Sequence, residues 1–551
     1  MLLWLRNYRL QLLAGDLSAG LIVAMMMVPQ GMAYAVVAGL PPVIGLYASI
    51  LPALAYALLG SSMVQSVGPM AITSLMTATS LAALAPSGSD LYVAMATQMS
   101  LIAGVVLLLC GVLRLGFLAH FLSRPVLSGF TTGAALVIGA SQLKALLGGS
   151  FSHFNLPGAS IGLLALLALW LGKEQLSPFL GKLGLSARRA SILSKLVPVV
   201  VLAVATVTVW QFELADAGVV VLGPIAQGLP SFGLQLLGFE QLRSLLAPSL
   251  LIGFIIFLSS QSASVTLAQK RGERINGNKE LLGLGAANLA SAFSGSFPVT
   301  GSISRSAVNY AAGANTPLAS VISALLMAAL LCIPTAWLAP LPLPALAASI
   351  IIAVLGMLDF DTPKQAWRFD RSDAVAWLAT LIGVLVVGVE SGVMLGVAIS
   401  LGSLIWRASR PHIAVLGRIA GSEHFRNIQR HNVQTHPQIV MLRIDSGMFF
   451  GNAELINDRV LEALHAETEH VVLVLSAVNL IDTSALYSLA ELNRNLLSRS
   501  IKLHLAEVKG PLMDRLQHSE LLLKALSGQV FLSAAVAFDS LSAELPPASQ
   551  A

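Results

Sequence analysis

Two stretches of this sequence place hydroxyl side chains beside a break in the chain, and one of them adds a charge. The first is Gln65-Ser66-Val67-Gly68-Pro69-Met70-Ala71-Ile72-Thr73-Ser74. The second is Ser296-Phe297-Pro298-Val299-Thr300-Gly301-Ser302-Ile303-Ser304-Arg305-Ser306. Each reads as extended backbone leading into a short apolar helix. The first amides of a helix have no intrahelical acceptor and sit at the positive end of its dipole. Two such ends brought together would suit an anion. Ser66, Thr73, Thr300, Ser302 and Ser304 could add hydroxyl donors. Arg305 sharpens the reading, because the stretch from Leu281 to Ile333 is otherwise uncharged. Gln30 follows Pro29 in the first apolar run, where it could bond a substrate or cap the proline kink. Nothing in the chain reads as a nucleophile–base pair, a metal-ligand cluster or a phosphate-binding glycine loop, so neither an enzyme, nor a cofactor, nor ATP-driven chemistry within this chain is expected.

The elements that must position these residues follow from composition. Of 551 residues, 56% are hydrophobic and 11% charged, with a mean hydropathy of +0.80. Soluble domains carry about 25% charged residues, so the solvent here is a lipid bilayer. The net charge of +5 is spread along loops and gives no nucleic-acid footprint. Cys110 and Cys332 lie in apolar runs and read as free thiols. Apolar runs long enough to cross about 30 Å of hydrocarbon recur from Leu17 to Trp406. We read about fourteen spans in residues 1–407. The two broken stretches then fall third in each half, the arrangement expected of a transporter site built from inverted repeats. An intramembrane Arg costs about 2.5–3.5 kcal/mol at mid-span and therefore marks a functional site.

Charge sets the orientation. With a cytoplasmic N-terminus, Arg6, Arg9, Arg114, Arg124, Lys173, Lys182, Arg188, Arg189, Lys195, Lys270, Arg271, Arg274, Lys279, Lys364, Arg368 and Arg371 fall inside, and chiefly Arg243 outside. Both termini are then cytoplasmic. Glu390 reads as a first-turn carboxylate facing water, and Gly129 with Gly133 as a helix-packing pair.

After Trp406 the chain becomes polar. Residues 408–437 read as an Arg- and His-rich linker, 438–545 as an α/β domain and 546–551 as a frayed tail. Ile439–Ile444, Val471–Leu475 and Ile501–Leu505 read as strands. Gly451–His465, Thr483–Ser498 and Pro511–Leu526 read as the helices covering them.

Several motifs resemble a known family. Val28-Pro29-Gln30-Gly31-Met32-Ala33-Tyr34-Ala35 is similar to the first-span motif of the sulfate permease (SulP) family. Pro41-Pro42-Val43-Ile44-Gly45-Leu46-Tyr47-Ala48-Ser49 through Ser66-Val67-Gly68-Pro69 resembles its signature, and Asn278 to Asn309 its ninth and tenth spans. The resemblance implies a polytopic α-helical membrane protein of two inverted seven-span repeats, forming core and gate domains. It implies an elevator-like secondary transporter of sulfate, bicarbonate, chloride or dicarboxylate, usually a homodimer, here expected in the inner membrane. Carried over, the substrate site comprises Gln30, Tyr34, Ala71, Ile72, Ser304 and Arg305, with Ser259 lining it. Ser259 is a departure: in Phe257-Leu258-Ser259-Ser260 it stands where many members carry a carboxylate linked to cation coupling. The C-terminal part resembles STAS domains, with a cytoplasmic partner as one use. In Asn479-Leu480-Ile481-Asp482-Thr483-Ser484-Ala485, Asp482 or Thr483 suits a helix cap, and Ser484 matches a regulatory phosphosite of soluble relatives. A nucleobase-type permease of the same fold, or a sensor or scaffold built on the STAS domain, are the alternatives.

Overall fold

The computed structural model describes residues 4, 8–117, 123–149, 155–184, 190, 193–194, 196–224, 227–234, 237–519 and 525–545. Arg6, Arg188, Arg189, Lys195 and the expected tail 546–551 lie outside the described residues, as does the side chain of Glu390. The chain divides into two compact units, Met1–Ser400 and Leu401–Ala551.

The first unit is helical. Its first half contains α1 (Leu13–Val37), α2 (Pro42–Tyr47), α3 (Leu51–Leu59), β1 (Val67–Gly68), α4 (Ala71–Leu81), α5 (Asp90–Val112), α6 (Arg124–Leu146), α7 (Leu156–Glu174), α8 (Leu176–Lys182) and α9 (Val197–Gln211). Its second half contains α10 (Phe239–Arg271), α11 (Gly277–Phe293), β2 (Thr300–Gly301), α12 (Ile303–Ala312), α13 (Leu318–Cys332), α14 (Leu343–Leu355), α15 (Asp361–Phe369), α16 (Arg371–Val386) and α17, which begins at Val389 and ends at Ala408. Among the described residues, seven spans are long and apolar enough to cross a bilayer alone, with α2 and α3 taken together. The rest are shorter, and two of them, α4 with 11 residues and α12 with 10, follow the two breaks. Many large apolar side chains point outward, Leu109, Val200, Trp210 and Leu325 among them, as lipid-facing surfaces require.

Small residues set the helix contacts, because lipid supplies no hydrophobic drive between helices. A Cβ on Gly45 of α2 would fall 1.9 Å from the Gly31 carbonyl oxygen of α1. The expected packing role of Gly129 and Gly133 has its partner in α16: their Cβ positions fall 2.5 Å from the Trp377 oxygen and 2.9 Å from Val384.

The second unit holds a six-stranded sheet in the order β4-β3-β5-β6-β7-β8. Its strands are β3 (Ile413–Arg418), β4 (Phe425–Asn427), β5 (Ile439–Ile444), β6 (His470–Val474), β7 (Lys502–Ala506) and β8 (Val530–Phe531). The helices are α18 (Ala453–Glu462), α19 (Thr483–Ser498), α20 (Gly510–Gln517) and α21 (Ala534–Glu544). β5 to β8 are parallel, while β3 is antiparallel to both β4 and β5. Val440, Leu442, Val471 and Leu473 pack with Ile456, Leu489 and Leu512 on one face. Met441, Val472 and Val474 pack with Ala537 and Leu541 on the other. Burial on both faces is why these parallel strands read as continuous apolar runs.

Two expectations need correction. Residues 408–437 are not a plain linker: β3 and β4 lie in this stretch and extend the sheet at its antiparallel edge. β4 is three residues long with Arg426 exposed, and the Arg and His residues around the short β3 hid both strands. The helix expected over Pro511–Leu526 ends at Gln517.

A buried histidine pair ties β6 to β7. His504 Nδ1 accepts the Gln529 N–H at 3.0 Å, so its proton sits on Nε2, which donates to His470 Nδ1 at 3.0 Å. Both rings are therefore neutral. Burial, with the neighbouring His470 and Lys502, pushes His504 down to about 4. Burial and Lys502 also lower His470. A depressed histidine binds fewer protons folded than unfolded, so its stabilisation is complete above 6.5 and is lost as pH falls toward about 4. Hydrogen-exchange protection of β6 and β7, corrected for intrinsic rates, is expected to fall over that window. His504→Asn is expected to flatten the dependence.

Candidate functional site

The two breaks meet. β1 pairs antiparallel with β2, Val67 opposite Gly301 and Gly68 opposite Thr300. The Ser302 N–H donates to the Ser66 carbonyl at 3.0 Å, and the Ser306 hydroxyl accepts the Ser66 N–H at 2.9 Å. These bonds satisfy non-helical backbone inside a membrane protein, where water cannot. α4 and α12 then leave the crossing from its opposite ends. No side chain caps α4, whose first residues Ala71 and Ile72 are buried. α12 is capped by the Ser302 hydroxyl, which accepts the Arg305 N–H at 3.4 Å.

Arg305 joins the two ends. Its guanidinium is 1% exposed, and Nη1 donates to the Pro69 carbonyl at 2.8 Å, just before α4. Helical side chains lean toward the N-terminus, which carries Arg305 back over its own first turn. Its Nε and Nη2 have no hydrogen-bond partner. Among the described residues no carboxylate pairs with it. A Cβ on Gly68 would come 3.0 Å from Met27 Cε and 3.5 Å from Arg305 Nη2, so only glycine leaves that space open.

The other expected residues come from elements packed on this crossing. α1 and α10 each pack against both α4 and α12. Tyr34, on α1, is buried within electrostatic reach of Arg305. Gln30 is half-buried one turn earlier. Ser259 of α10 is buried with its hydroxyl 3.9 Å from the Met70 sulfur, beside the start of α4. Ser304 is exposed on the first turn of α12, 3.2 Å from the Ser302 hydroxyl. Two hydroxyls expected as donors to a ligand are instead spent on the backbone. Thr73 bonds the Met70 carbonyl at 3.1 Å and Thr300 the Ile256 carbonyl at 3.0 Å. An apolar crevice of about 830 Å³ between α1, α9 and α13, lined by Leu21, Met25, Leu202 and Trp337, offers an anion almost no donors.

Sequence reading missed a second polar centre beneath the crossing. Glu280, at the start of α11, is fully buried. It accepts from the Tyr56 hydroxyl at 2.8 and 2.9 Å, the Ser61 N–H at 3.0 Å, the Ser61 hydroxyl at 2.6 Å and the Ser264 hydroxyl at 3.0 Å. Gln65 joins it through Tyr56 and Ser264. Asp16 is also fully buried and caps the start of α13 through Asn315 N, Thr316 N and the Thr316 hydroxyl. Both carboxylates lie at span ends, Glu280 directly after Lys279, so in linear sequence they look like loop charges.

Comparison with known proteins decides the family. The model of the sulfate permease family matches residues 13–380, and that of the STAS domain residues 430–537. The chain belongs to the sulfate permease family. "Sulfate transporter 4.1, chloroplastic" of Arabidopsis thaliana is 35% identical over 531 residues, covering 91% of this chain and 76% of the relative. "Probable sulfate transporter Rv1739c" of Mycobacterium tuberculosis is 36% identical over 538 residues, covering 96% and 95%. In fold, the permease matches murine Solute Carrier 26 family member A9, titled an anion transporter in the inward-facing state, with a TM-score of 0.89 at 22% identity. That match covers 98% of this chain and 93% of the other. The transmembrane domain of a cyanobacterium bicarbonate transporter, BicA, matches with a TM-score of 0.60 at 21% identity, covering 72% and 99%. The permease thus has the family's two-repeat membrane fold with a C-terminal STAS domain, and it is a multi-pass transporter rather than an enzyme.

In the STAS domain, the cap of α19 is Asp482, whose Oδ1 accepts the Ala485 N–H at 2.8 Å. Its Oδ2 accepts the Phe450 N–H at 2.9 Å. Ser484 is exposed on the first turn, where added phosphate would lie at a positive helix end.

Proposed function

We propose that this permease moves a small inorganic anion across the inner membrane, sulfate first, with bicarbonate, chloride or a dicarboxylate as the other candidates. The anion binds where α4 and α12 begin. Gln30, Tyr34, Ser259 and Ser304 surround it, the first amides of Ala71 and Ile72 donate to it, and Arg305 supplies the charge. One observation carries this reading: a guanidinium 1% exposed, with two nitrogens unpartnered and, among the described residues, no carboxylate paired with it. A buried cation left so is costly unless an anion completes it. A nucleobase permease would place a carboxylate there, and a STAS-based scaffold has no use for the charge. The core then carries the anion past the gate in an elevator-type cycle, within a homodimer whose termini are cytoplasmic. The names of the relatives, two of them sulfate transporters, support the choice of anion.

The test is uptake into proteoliposomes of radiolabelled sulfate, bicarbonate, chloride and succinate, each with and without the same anion inside. We expect sulfate counterflow to exceed that of protein-free vesicles. Equal rates for all four anions with and without protein would overturn the reading.

A further inference from the structure

The apolar crevice between α1, α9 and α13 has a volume of about 830 Å³, and among the described residues no charged side chain lines it. Thr206 brings a hydroxyl to its wall, but that hydroxyl is spent on the Leu202 carbonyl at 2.7 Å. Water settles only in a cavity that offers it several polar partners, so the occupant of this one must be apolar. The floor is Met32, Leu202 and Met327, each at most 3% exposed. The rim is Leu21, Met25, Val207 and Leu326, each more than a third exposed. Next to the rim, Val200 and Val204 of α9 and Leu325 of α13 point outward. Rim and lipid-facing surface therefore form one apolar surface, and the fluid against it is hydrocarbon tail, as apolar as Leu.

Length and ends fit the same occupant. Along α9 the lining runs from Val199 to Trp210, and along α1 from Leu21 to Met32, in each case about 16 Å at 1.5 Å per residue. A hydrocarbon core of about 30 Å is shared by two leaflets, so the crevice matches the tail of one. Trp210 lies in the last turn of α9 and Trp337 in the short turn after α13. They stand at one end of the crevice, because the chain after α9 pairs with the chain before α14 through Leu222 N–H and the Leu341 carbonyl at 2.9 Å. Indole has an apolar body and a polar N–H, and it collects where tails give way to headgroups.

We propose that this crevice is a binding site for one acyl chain of a membrane phospholipid, whose headgroup lies at the level of Trp210 and Trp337. α1 packs with α12 and α13, whereas α9 packs with α7 and α14 and also meets α1. The tail thus enters between helices that hold the anion site and helices that flank them. Pro29, which lines the crevice, directly precedes Gln30. When one group of helices slides past the other, the crevice must change shape. A tail that fills it as it stands favours the arrangement seen here. That coupling rests on the transport reading above; the lipid site does not.

The experiment reconstitutes the full chain in phosphatidylcholine vesicles doped with the same lipid carrying a diazirine midway along one acyl chain. Irradiation attaches the tail to the side chains it touches, and peptide mass spectrometry locates them. We expect label on Leu202 and Met327 of the floor as well as on Val200 and Val204, which face bulk lipid. Label on Val200 and Val204 alone overturns the site. Ala203→Trp fills the crevice from its α9 wall and is expected to lose most of the label on Leu202 and Met327 while keeping that on Val200 and Val204. Undiminished floor label in this variant overturns the site as well. Should Ala203→Trp fail to insert, Ala336→Trp, at an exposed position of the lining, takes its place. Sulfate counterflow in the same vesicles reads the coupling. An indole fixed in the crevice cannot leave as a tail can, so counterflow is expected to fall at least about tenfold. Counterflow equal to wild type in a variant that has lost the floor label overturns the coupling and leaves the lipid site standing. Absence of counterflow in wild type strikes the transport reading instead, and the labelling still decides the lipid site.

Discussion

Arg305→Ala is expected to lower sulfate counterflow at least about a hundredfold while the protein still inserts. The substitution removes a buried charge and the donors it holds toward the crossing. Hydrogen bonds to a charged group contribute about 1.5–3 kcal/mol each, and about 2.7 kcal/mol is a hundredfold in an equilibrium constant. The structural loss is smaller, a single bond to the Pro69 carbonyl at 2.8 Å, because β1 and β2 remain paired through their own backbone. Arg305→Lys is expected to recover little, since an ammonium is a point charge that cannot reproduce a fork binding Pro69 on one side and a ligand on the other. Uptake by Arg305→Ala within threefold of wild type, at equal protein in the vesicles, would remove the guanidinium from the site.

The largest effect on folding is expected at a glycine far from any chemistry. Gly45→Ala places a Cβ 1.9 Å from the Gly31 oxygen and 2.4 Å from its carbonyl carbon, both backbone atoms. Neither can rotate away, so α1 and α2 must separate. Overpacking of a filled interface costs about 1–3 kcal/mol and more when backbone must move. Because α1 also carries Gln30 and Tyr34, the displacement reaches the anion site as well. We expect Gly45→Ala to shift most of the detergent-extracted protein into aggregates by size-exclusion chromatography. Gly181→Ala, with nothing within 4 Å of its Cβ, is the control and should elute as wild type. A monodisperse Gly45→Ala protein with a wild-type melting temperature would contradict the close approach.

The STAS domain shows how local and long-range information divide. β5 and α19 were legible because their signals are local: an apolar run between turns, and Asp482 before an amphipathic stretch. β3 and β4 were not: β4, the edge strand, is only three residues long, and β3 beside it is a short run in a stretch whose Arg and His residues read as linker. Likewise α21 covers the face of the sheet opposite α18 to α20, and only the two-faced burial of β6 reveals that such a cover is needed.

By itself the sequence determined that the chain lives in a bilayer, that its third span in each half is broken, and that one cation lies at membrane depth. Each of these is a statement about solvent preference or backbone freedom, which residue type and spacing carry directly. Only the tertiary structure decided that the two breaks pair strand to strand, that Arg305 reaches across to Pro69, that Thr73 and Thr300 turn to the backbone, and that Glu280 is enclosed by Tyr56, Ser61 and Ser264. Those contacts join residues up to 236 positions apart. A hydroxyl or a carboxylate at the end of a span has the same appearance in sequence whether it faces water, its own helix or a neighbour, because its partner is chosen by packing.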